Sequence, residues 1–300
     1  MINNKTFFSK LSDVETSLFI KLNKFFHKRP ISDPYISGDT FRSMANIVFE
    51  NDILCDQYLT VKNGDIIFVE THLLKKFQEK ILPKISVKFI LISHNSDAEV
   101  TAQHVNILEN RFLVKWFAQN ALVNHEKIVA IPIGLENQWL HKNGRIKNFS
   151  SIKLFPPDLR IPRILDGFNV HTNFKVRTTA REALKKCGLT DHISTNSIEY
   201  RKLLGQYMFI ASPFGNGVDC HRTWEALYAG AIPIVCGKGF YGQFENFPGL
   251  VLGSWVELQN LDAASLQAFY FSCLSKLSSA DYLWSKYWRE RLVIESSLCD

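Results

Sequence analysis

The sequence of 300 residues lacks the features by which several large protein classes are recognised. No apolar run approaches the roughly 18 residues that a membrane-spanning helix needs. Charged residues interrupt positions 1–20, so we expect no secretory signal peptide. There is also no internal repeat and no low-complexity tract. These absences favour a folded cytoplasmic protein of one or two domains.

Cysteine is sparse, and its spacing fits neither a zinc site nor a disulfide framework. No two of the six cysteines form a C-x-x-C pair. In a chain of this length, such spacing is typical of a reducing compartment. We interpret Cys220, which lies within the motif described below, as a packing residue. The cysteines occupy positions 55, 187, 220, 236, 273 and 299.

Neither sign of charge dominates the chain. Thirty-five Lys and Arg residues against 29 Asp and Glu residues give a net charge of +6. This excess does not require a nucleic-acid partner, but it is compatible with an anionic substrate or an acidic lipid surface. Basic and apolar residues recur at near-helical spacing over residues 5–29. This amphipathic segment either packs on its own domain or makes a peripheral contact with the inner face of the cytoplasmic membrane.

Two short motifs of nucleotide chemistry are missing. The P-loop pattern G-x-x-x-x-G-K-[ST] does not occur, which excludes a P-loop phosphotransferase. No G-x-G-x-x-G follows an early strand, which disfavours a dinucleotide oxidoreductase. A nucleotide site in this chain must therefore use a different loop.

Residues 212–235 contain such a loop, with two glycines, a helix start and a buried strand. Asp219 is the expected N-cap after Gly217 lets the chain turn, and a helix N-terminus attracts anions. His221, Arg222 and Glu225 share one helix face. An arginine fork matches phosphate oxygens, and a carboxylate can accept both hydroxyls of a ribose. The alternative is a surface ion pair between Arg222 and Glu225, worth under about 1 kcal/mol.

Strand and helix patterns alternate through both halves of the chain, which predicts a mostly parallel sheet in each. Strands are predicted at 65–70, 88–93, 112–118, 128–133, 164–170, 207–211 and 231–235. Helices are predicted at 73–81, 179–186, 197–204, from 219 onward, 263–277 and 280–295. The proline-rich stretch 141–163 separates the halves and has the composition of a linker.

The predicted fold is therefore α/β, with two Rossmann-like domains at 1–150 and 151–300 that face each other across a cleft. Strand carboxyl ends border the crevice of such sheets, so the ligand is expected between the domains. This is the GT-B architecture. In that fold the last helix, which carries Trp284, Tyr287 and Trp288, is expected to cross back to the first domain.

The segment 212–235 resembles the exostosin-like glycosyltransferases, especially the bacterial members that build lipopolysaccharide and capsule chains. The pattern P-x-G-x-G-x-D-x-x-R-x-x-E-A-L-x-x-G-x-I-P is complete from Pro213 to Pro233. Weaker matches lie at 37–42, 93–97, 116–120, 131–137 and 169–177. The resemblance implies an inverting transfer from a UDP-sugar to a glycan or lipid-linked glycan acceptor, without a bound metal. In agreement, the chain has no D-x-D, the motif that carries Mn²⁺ in the other glycosyltransferase fold.

Without a metal ion, basic side chains and a helix N-terminus must stabilise the negative charge of the leaving diphosphate. Arg177 and Arg181, four residues apart after Asn173, are candidates, and their alternative role is a solvated helix face. The expected donor-binding residues are Asn173, Arg177, Arg181, Gly215, Asn216, Gly217, Asp219, His221, Arg222 and Glu225.

An inverting transfer also needs a general base beside the acceptor hydroxyl. Asp39 follows a strand-like stretch and a glycine, and we take it as the first candidate. Asp97 and His94 follow the strand 88–93 and are the next. Either aspartate could instead be a turn residue.

Residues that contact the transferred sugar or the acceptor are expected in the first domain. The candidates are Arg42, Glu136 and Asn137. Trp116 and Trp139 either stack on a sugar or lie in the core. The main alternative to an enzyme is a non-catalytic nucleotide- or glycan-binding module of the same fold.

Overall fold

The structure of the protein, a computed structural model, describes residues 29–50, 60–140 and 142–299. The amphipathic segment predicted at 5–29 therefore lies, apart from its last residue, outside the described residues. No helix within the described ranges is both long enough and apolar enough to cross a bilayer.

The first sheet has five parallel strands in the order β1-β2-β3-β4-β5. They are β1 (Ile47–Phe49), β2 (Asp65–Glu70), β3 (Phe89–His94), β4 (Leu113–Ala118) and β5 (Ile128–Ala130). Every residue of β3 is buried, as expected for a central strand of a sheet covered on both faces. The helices of this half are α1 (Gly38–Arg42), α2 (Leu74–Lys80), α3 (Val105–Leu108) and α4 (Ile146–Ser150).

The second sheet also has five parallel strands, in the order β10-β9-β8-β6-β7. They are β6 (Ile161–Asp166), β7 (Thr190–His192), β8 (Tyr207–Ala211), β9 (Ile232–Cys236) and β10 (Leu250–Leu252). Its helices are α5 (Phe174–Cys187), α6 (Ser197–Leu204), α7 (His221–Tyr228), α8 (Lys238–Tyr241) and α9 (Ala263–Ser278).

The direction of winding reverses between β6 and β8, which are neighbours although β7 lies between them in sequence. Loops at the carboxyl ends of two such strands diverge and leave a crevice for a ligand. Gly167 follows β6, and the glycine loop 212–220 follows β8. The switch point of the second sheet thus lies beside the predicted nucleotide motif.

The last helix, α10 (Ser285–Ser297), returns to the first domain and packs against β2 and β3. Trp288 is buried there, edge-on to Phe41 and Phe117. One apolar core runs from the first sheet through α10 to Trp224 of α7. The predicted fold class, two Rossmann-like units across a cleft with a returning C-terminal helix, is confirmed.

Several predicted boundaries differ from the structure. The helix predicted at 179–186 begins at Phe174, because the Asn173 side chain caps it by accepting from Val176 N–H. The helix predicted at 280–295 begins at Ser285, after a short 3₁₀ turn. Part of the predicted linker belongs to α4 and β6. The sequence did not predict the helix and strand within this stretch, because it contains several prolines and no apolar periodicity.

Candidate ligand site in the interdomain cleft

The helix of the motif, α7, begins two residues after Asp219, so the N-cap prediction for Asp219 is wrong. Cys220 occupies that position without a side-chain cap. The buried Asp219 carboxylate instead accepts the N–H of Ile133 at 2.7 Å and the Trp224 indole N–H at 2.9 Å. Burial raises the pKa of Asp219 to about 7 although hydrogen bonds to its oxygens oppose the shift. Asp219 thus ties the glycine loop to the first domain.

The glycines of the loop are needed for close approach, since neither Gly215 nor Gly217 has a positive φ. A Cβ at Gly217 would lie 2.7 Å from Asn120 Nδ2, and one at Gly215 would lie 3.2 Å from Arg177 Nη2. Asn120 also accepts the backbone N–H of Asp219 at 3.1 Å. The predicted role of Gly217 in letting the chain turn is therefore replaced by tight packing against the first domain.

A cavity of about 470 Å³ opens between this loop and the first domain, and we call it the loop cavity. Both Arg222 and Glu225 line it. Arg222 Nε donates to Tyr200 Oη at 3.0 Å, so its guanidinium is held by Tyr200 and not by Glu225. Burial raises the pKa of Glu225, and the nearby His221 and Arg222 oppose that shift. The alternative of a surface ion pair between Arg222 and Glu225 does not describe this geometry.

Arg177 and Asn173 hold the glycine loop from the side of α5. Arg177 Nε donates to the carbonyl of Phe214 at 2.8 Å, and Asn173 Nδ2 donates to that of Gly215 at 2.8 Å. Arg177 also lines the loop cavity, whereas Asn173 stands behind the loop. Both residues therefore shape the site, and Arg177 can in addition face a ligand.

Arg181 lies outside the loop cavity, contrary to its predicted place among the donor-binding residues. Its Nε and Nη2 atoms pair with the Asp166 carboxylate at 2.9 and 3.0 Å. Asp166 ends β6 and is buried, so it requires a partner. This local need for a counter-charge turns Arg181 away from the cleft.

A second cavity of about 240 Å³ lies where β2, β3 and β4 end, and we call it the strand-end cavity. Its lining includes Arg29, Glu70, His94, Asn95, Gln119, Glu136, Asn137 and Trp139. Asp97, Ile133 and His221 line both cavities. The two cavities therefore adjoin at these three residues.

Asp39, the first candidate for a base, is 1% exposed and lies behind the strand-end cavity rather than on an open loop. Its Oδ1 accepts from Arg29 at 3.1 Å, and its backbone N–H donates to Asn137 Oδ1 at 2.8 Å. Burial raises the pKa of Asp39, and Arg29 opposes the shift. These contacts assign Asp39 a supporting position.

His94 has both ring nitrogens occupied by the backbone. Its Nδ1 accepts the Asn95 N–H at 2.7 Å, so Nε2 carries the proton and donates to the carbonyl of Pro132 at 3.2 Å. Burial lowers the pKa of His94 to about 3, which keeps the ring neutral. A ring with no free lone pair cannot take a proton from a substrate, so the structure contradicts the prediction of His94 as a catalytic group.

Two ionisable side chains remain at the junction of the cavities. Asp97 is exposed, and it accepts from Asn216 Nδ2 at 3.2 Å across the cleft. His221 Nδ1 lies 2.7 Å from the carbonyl of Gly134, to which it donates, and Nε2 has no hydrogen-bond partner within the described chain. Gly134 permits this contact because its φ is 66° and a Cβ there would lie 2.3 Å from Ile36 O. Asp97 and His221 can therefore both reach a bound ligand.

The predicted sugar-contacting residues separate into two groups. Glu136 and Asn137 line the strand-end cavity, but Arg42 does not. Arg42 is buried in a bidentate pair with Glu50, at 2.9 and 2.7 Å, so its predicted contact with a sugar is wrong. Trp116 is a core residue whose indole N–H donates to Ser93 Oγ at 2.9 Å. Trp139 lines the cavity, with the Arg29 guanidinium 4.8 Å from its ring centroid.

Sequence reasoning gave no site role to several residues that the fold brings to the cleft. Among them, Arg29, Tyr200 and Arg201 line a cavity. Gln119, which lines the strand-end cavity, and Asn120, which joins the domains, lie in the weak match at 116–120. Asn120 also carries a local signal, since an Asn two residues after an apolar strand is suited to its observed φ of 52°.

Comparisons with known proteins complete the description. No protein-family model matches the sequence, and no curated protein matches it. Among solved structures, the chain is similar to a UDP-forming α,α-trehalose-phosphate synthase from Burkholderia xenovorans, with 10% identity, 79% of this chain and 75% of that chain covered, and a TM-score of 0.44. It is also similar to AviGT4, a glycosyltransferase involved in avilamycin A biosynthesis, with 11% identity, coverages of 77% and 83%, and a TM-score of 0.38.

A third similar structure is the pneumococcal O-GlcNAc transferase GtfA in complex with UDP and GlcNAc. Its identity is 13%, its coverages are 81% of this chain and 58% of that chain, and its TM-score is 0.37. At such low identities and TM-scores, these likenesses support no statement about the activity of this protein.

Proposed function

We propose that the protein transfers a sugar from a UDP-sugar to a hydroxyl of a glycan acceptor, with inversion at the anomeric carbon. The observation that carries this proposal is the placement of Arg222 and Glu225 on one cavity wall, where they do not pair with each other. A cation and a carboxylate that share one helix face without pairing with each other match the phosphates and the ribose of a nucleoside diphosphate.

The charge of the loop cavity supports a diphosphate as the ligand. Arg177, Arg201 and Arg222 reach the lining from three different helices, α5, α6 and α7. Arginine forks pair with phosphate oxygens in the ground state and with the charge that develops on the leaving group. We accordingly propose a transfer that needs no metal ion. In this arrangement Glu225 accepts the ribose hydroxyls.

The reaction forms a bond between an acceptor oxygen and the anomeric carbon. The bond from that carbon to the diphosphate breaks, its electron pair leaves on the phosphate oxygen, and the acceptor proton passes to a base. We propose Asp97 as that base, because it is exposed and lines both cavities. Asp39 is the weaker candidate, since it is buried behind Arg29. A carboxylate in this role contributes about 10²–10⁴-fold to the rate.

The proposed biological setting is bacterial lipopolysaccharide or capsule synthesis at the inner face of the cytoplasmic membrane. The support for this setting is the sequence resemblance from Pro213 to Pro233. A lipid-linked acceptor would bring the enzyme to the membrane, and the basic segment before residue 29 is the proposed contact.

The direct test is the release of UDP from a panel of UDP-sugars, measured in EDTA with and without glycan acceptors. We expect one UDP-sugar to release UDP at a rate that rises on addition of an acceptor, together with a new glycoside of inverted anomeric configuration. Binding of UDP without acceptor-dependent release would contradict the enzymatic proposal and favour a binding module.

A further inference from the structure

We propose that residues 152–159, which we call the apolar loop, dock on the surface of an anionic lipid bilayer. The apolar side chains of the loop enter the interface, and the basic side chains around it meet the lipid headgroups. This contact is separate from the one proposed for the segment before residue 29. It does not depend on sugar transfer, and only its purpose, to hold the cleft near a lipid-linked acceptor, rests on the proposed function.

The apolar loop exposes more apolar surface than an ordinary connection between secondary-structure elements. Five of the six residues 154–159 are Leu, Phe or Pro. Leu154 is 55% exposed and Leu159 is 66% exposed, while both prolines are exposed and Phe155 is half-buried. Single exposed leucines are normal on protein surfaces, but a contiguous apolar patch indicates an interaction site.

The backbone of the apolar loop is fixed to the second domain. The Phe155 N–H donates to the carbonyl of Gly205 at 3.1 Å, and Arg160 Nε donates to the carbonyl of Phe155 at 3.2 Å. Gly205 permits this close packing, since a Cβ there would lie 2.3 Å from Lys153 O. The two prolines further restrict the backbone. The apolar side chains are therefore presented in a fixed arrangement, and docking costs little ordering of the loop.

A cavity of about 360 Å³ beside the loop, which we call the lateral cavity, extends the apolar surface. Ile152 and Phe155 of the loop line it together with Ile198 of α6, which is 61% exposed. Lys153 and Lys202 also belong to the lining. Lys153 Nζ lies 5.2 Å from the centroid of the Phe155 ring, and the Lys153 side chain is exposed. Such lysines cover apolar surface with their stems and keep the ammonium group at the headgroup level.

The charge around the apolar loop favours an anionic bilayer as the partner. Residues 142–159 contain one acidic side chain, Asp158, and four exposed basic ones: Lys142, Arg145, Lys147 and Lys153. The negative surface potential of an anionic leaflet attracts such a cluster. An acidic protein would also attract the cations, but it would need shaped pockets for Leu154 and Leu159. A bilayer takes up both leucines without a pocket, so it fits the two features together.

The position of the apolar loop relates this bilayer to the cleft. Arg201 lines both the lateral cavity and the loop cavity of the proposed donor. Its Nη1 donates to Asn143 Oδ1 at 3.4 Å, in the chain that crosses from the first domain to the second. A bilayer on the apolar loop would therefore lie beside one end of the cleft, which suits an acceptor that stays anchored in the membrane.

The first experiment places an environment-sensitive fluorophore on the loop of the full-length protein. Leu154→Cys and the control Val256→Cys, at a valine of the second domain that is 57% exposed, are each labelled with NBD. Wild-type protein treated in the same way gives the signal of the native cysteines. Each protein is mixed with vesicles of phosphatidylglycerol and phosphatidylethanolamine, or with vesicles of phosphatidylcholine. Flotation measures the bound fraction.

The second experiment compares the affinities of unlabelled variants for the same vesicles. The site variant is Leu154→Ser/Leu159→Ser. The matched control is Val256→Ser/Val293→Ser, at residues that are 57% and 67% exposed. Circular dichroism and the melting temperature show that each variant is folded. Transfer to a water-soluble acceptor is measured separately, without vesicles.

We expect the probe at residue 154 to brighten and shift to the blue on anionic vesicles only, while the probe at residue 256 stays unchanged. The site variant should bind anionic vesicles about tenfold more weakly or worse, because two leucine side chains no longer leave water. The control variant should bind as the wild type does.

Three results would overturn the inference. They are an unchanged probe at residue 154 on vesicles that the protein binds, an equal response to neutral vesicles, and no binding to either kind of vesicle. The first would leave the segment before residue 29 as the membrane contact. Loop-dependent vesicle binding without transfer would contradict the proposed function and support the docking surface, so the two failures are distinguishable.

Discussion

The two cavities of the cleft adjoin at three residues and are built in opposite ways. The loop cavity presents arginines from three helices around the start of α7, together with the carboxylates of Asp97, Asp219 and Glu225. The strand-end cavity presents carboxylates from strand ends and loops, with its arginine already paired. One wall is suited to attract a phosphate, and the other is suited to repel it.

In the proposed transfer, this contrast separates the two substrates across one cleft. The arginines and the helix N-terminus of the loop cavity favour the charge of a nucleoside diphosphate. Two hydrogen bonds join the walls of the two cavities. The Asp219 carboxylate accepts the N–H of Ile133, and the Asn120 side chain accepts the N–H of Asp219. These two hydrogen bonds fix the position of the glycine loop against the first domain.

The largest expected effect concerns the junction of the two cavities. Asp97→Asn should lower kcat about 10²–10⁴-fold with little change in UDP affinity, because it removes the proposed base and keeps the shape. Asp39→Asn should mainly lower the melting temperature, because Arg29 loses one of its two partners. Steady-state kinetics and thermal denaturation of both variants distinguish these roles. The reverse result would make Asp39 the base.

A second substitution tests whether the arginines of the loop cavity are needed for transfer. Arg222→Lys keeps the charge but loses the planar fork that Tyr200 orients, so transfer should fall about 10²–10³-fold. Arg163→Lys, at the partly exposed pair with Asp191, is the matched control and should keep activity. Rates at saturating acceptor measure both. If the two variants lose activity equally, a specific role for Arg222 is contradicted.

The loop segment of the candidate site and both parallel sheets could be predicted from the sequence. The loop cavity was predictable because its central residues, from Gly215 to Glu225, lie within one short segment with a strand–loop–helix pattern. The alternation of apolar strands and helices likewise predicted both parallel sheets. In these cases the relevant information is local.

The strand-end cavity was not predictable in the same way, because its residues come from several separate loops and strand ends. Gln119, Trp139 and Arg29 share no common motif, and the fold brings them together. Arg42 and Arg181 show the complementary error. Arg42 was placed in the site from the weak match at 37–42 and Arg181 for its charge, but a buried carboxylate, Glu50 or Asp166, pairs with each.

A smaller effect tests the contact between the walls. Gly217→Ala places a Cβ 2.7 Å from Asn120 Nδ2, and such overpacking costs about 1–3 kcal/mol of the free energy of unfolding. Gly239→Ala is the control, since a Cβ there meets nothing within 4 Å. Urea denaturation gives both values. Equal stability of the two variants would show that the loop does not pack as closely as described.

Per unit of pH, the smallest effect concerns the buried His94. Its pKa is about 3 when folded and near 6.5 when unfolded, so the unfolded chain binds an extra proton between these values. The free energy of unfolding should therefore fall as pH drops from about 6.5 toward 3, by up to about 1.4 kcal/mol per pH unit from this group. His94→Gln should flatten that slope in denaturation curves. Parallel profiles for wild type and variant would contradict a buried, neutral His94.

The central claim is that Arg222 and Glu225 form a nucleotide site, and calorimetric titration with UDP in EDTA tests it most directly. We expect UDP to bind the wild-type protein and the control Glu182→Gln, an exposed glutamate of α5, with equal affinity. Glu225→Gln should bind at least about tenfold more weakly, because it replaces a charged hydrogen-bond acceptor of the ribose. Equal UDP binding by all three proteins, or none by the wild type, would contradict the account.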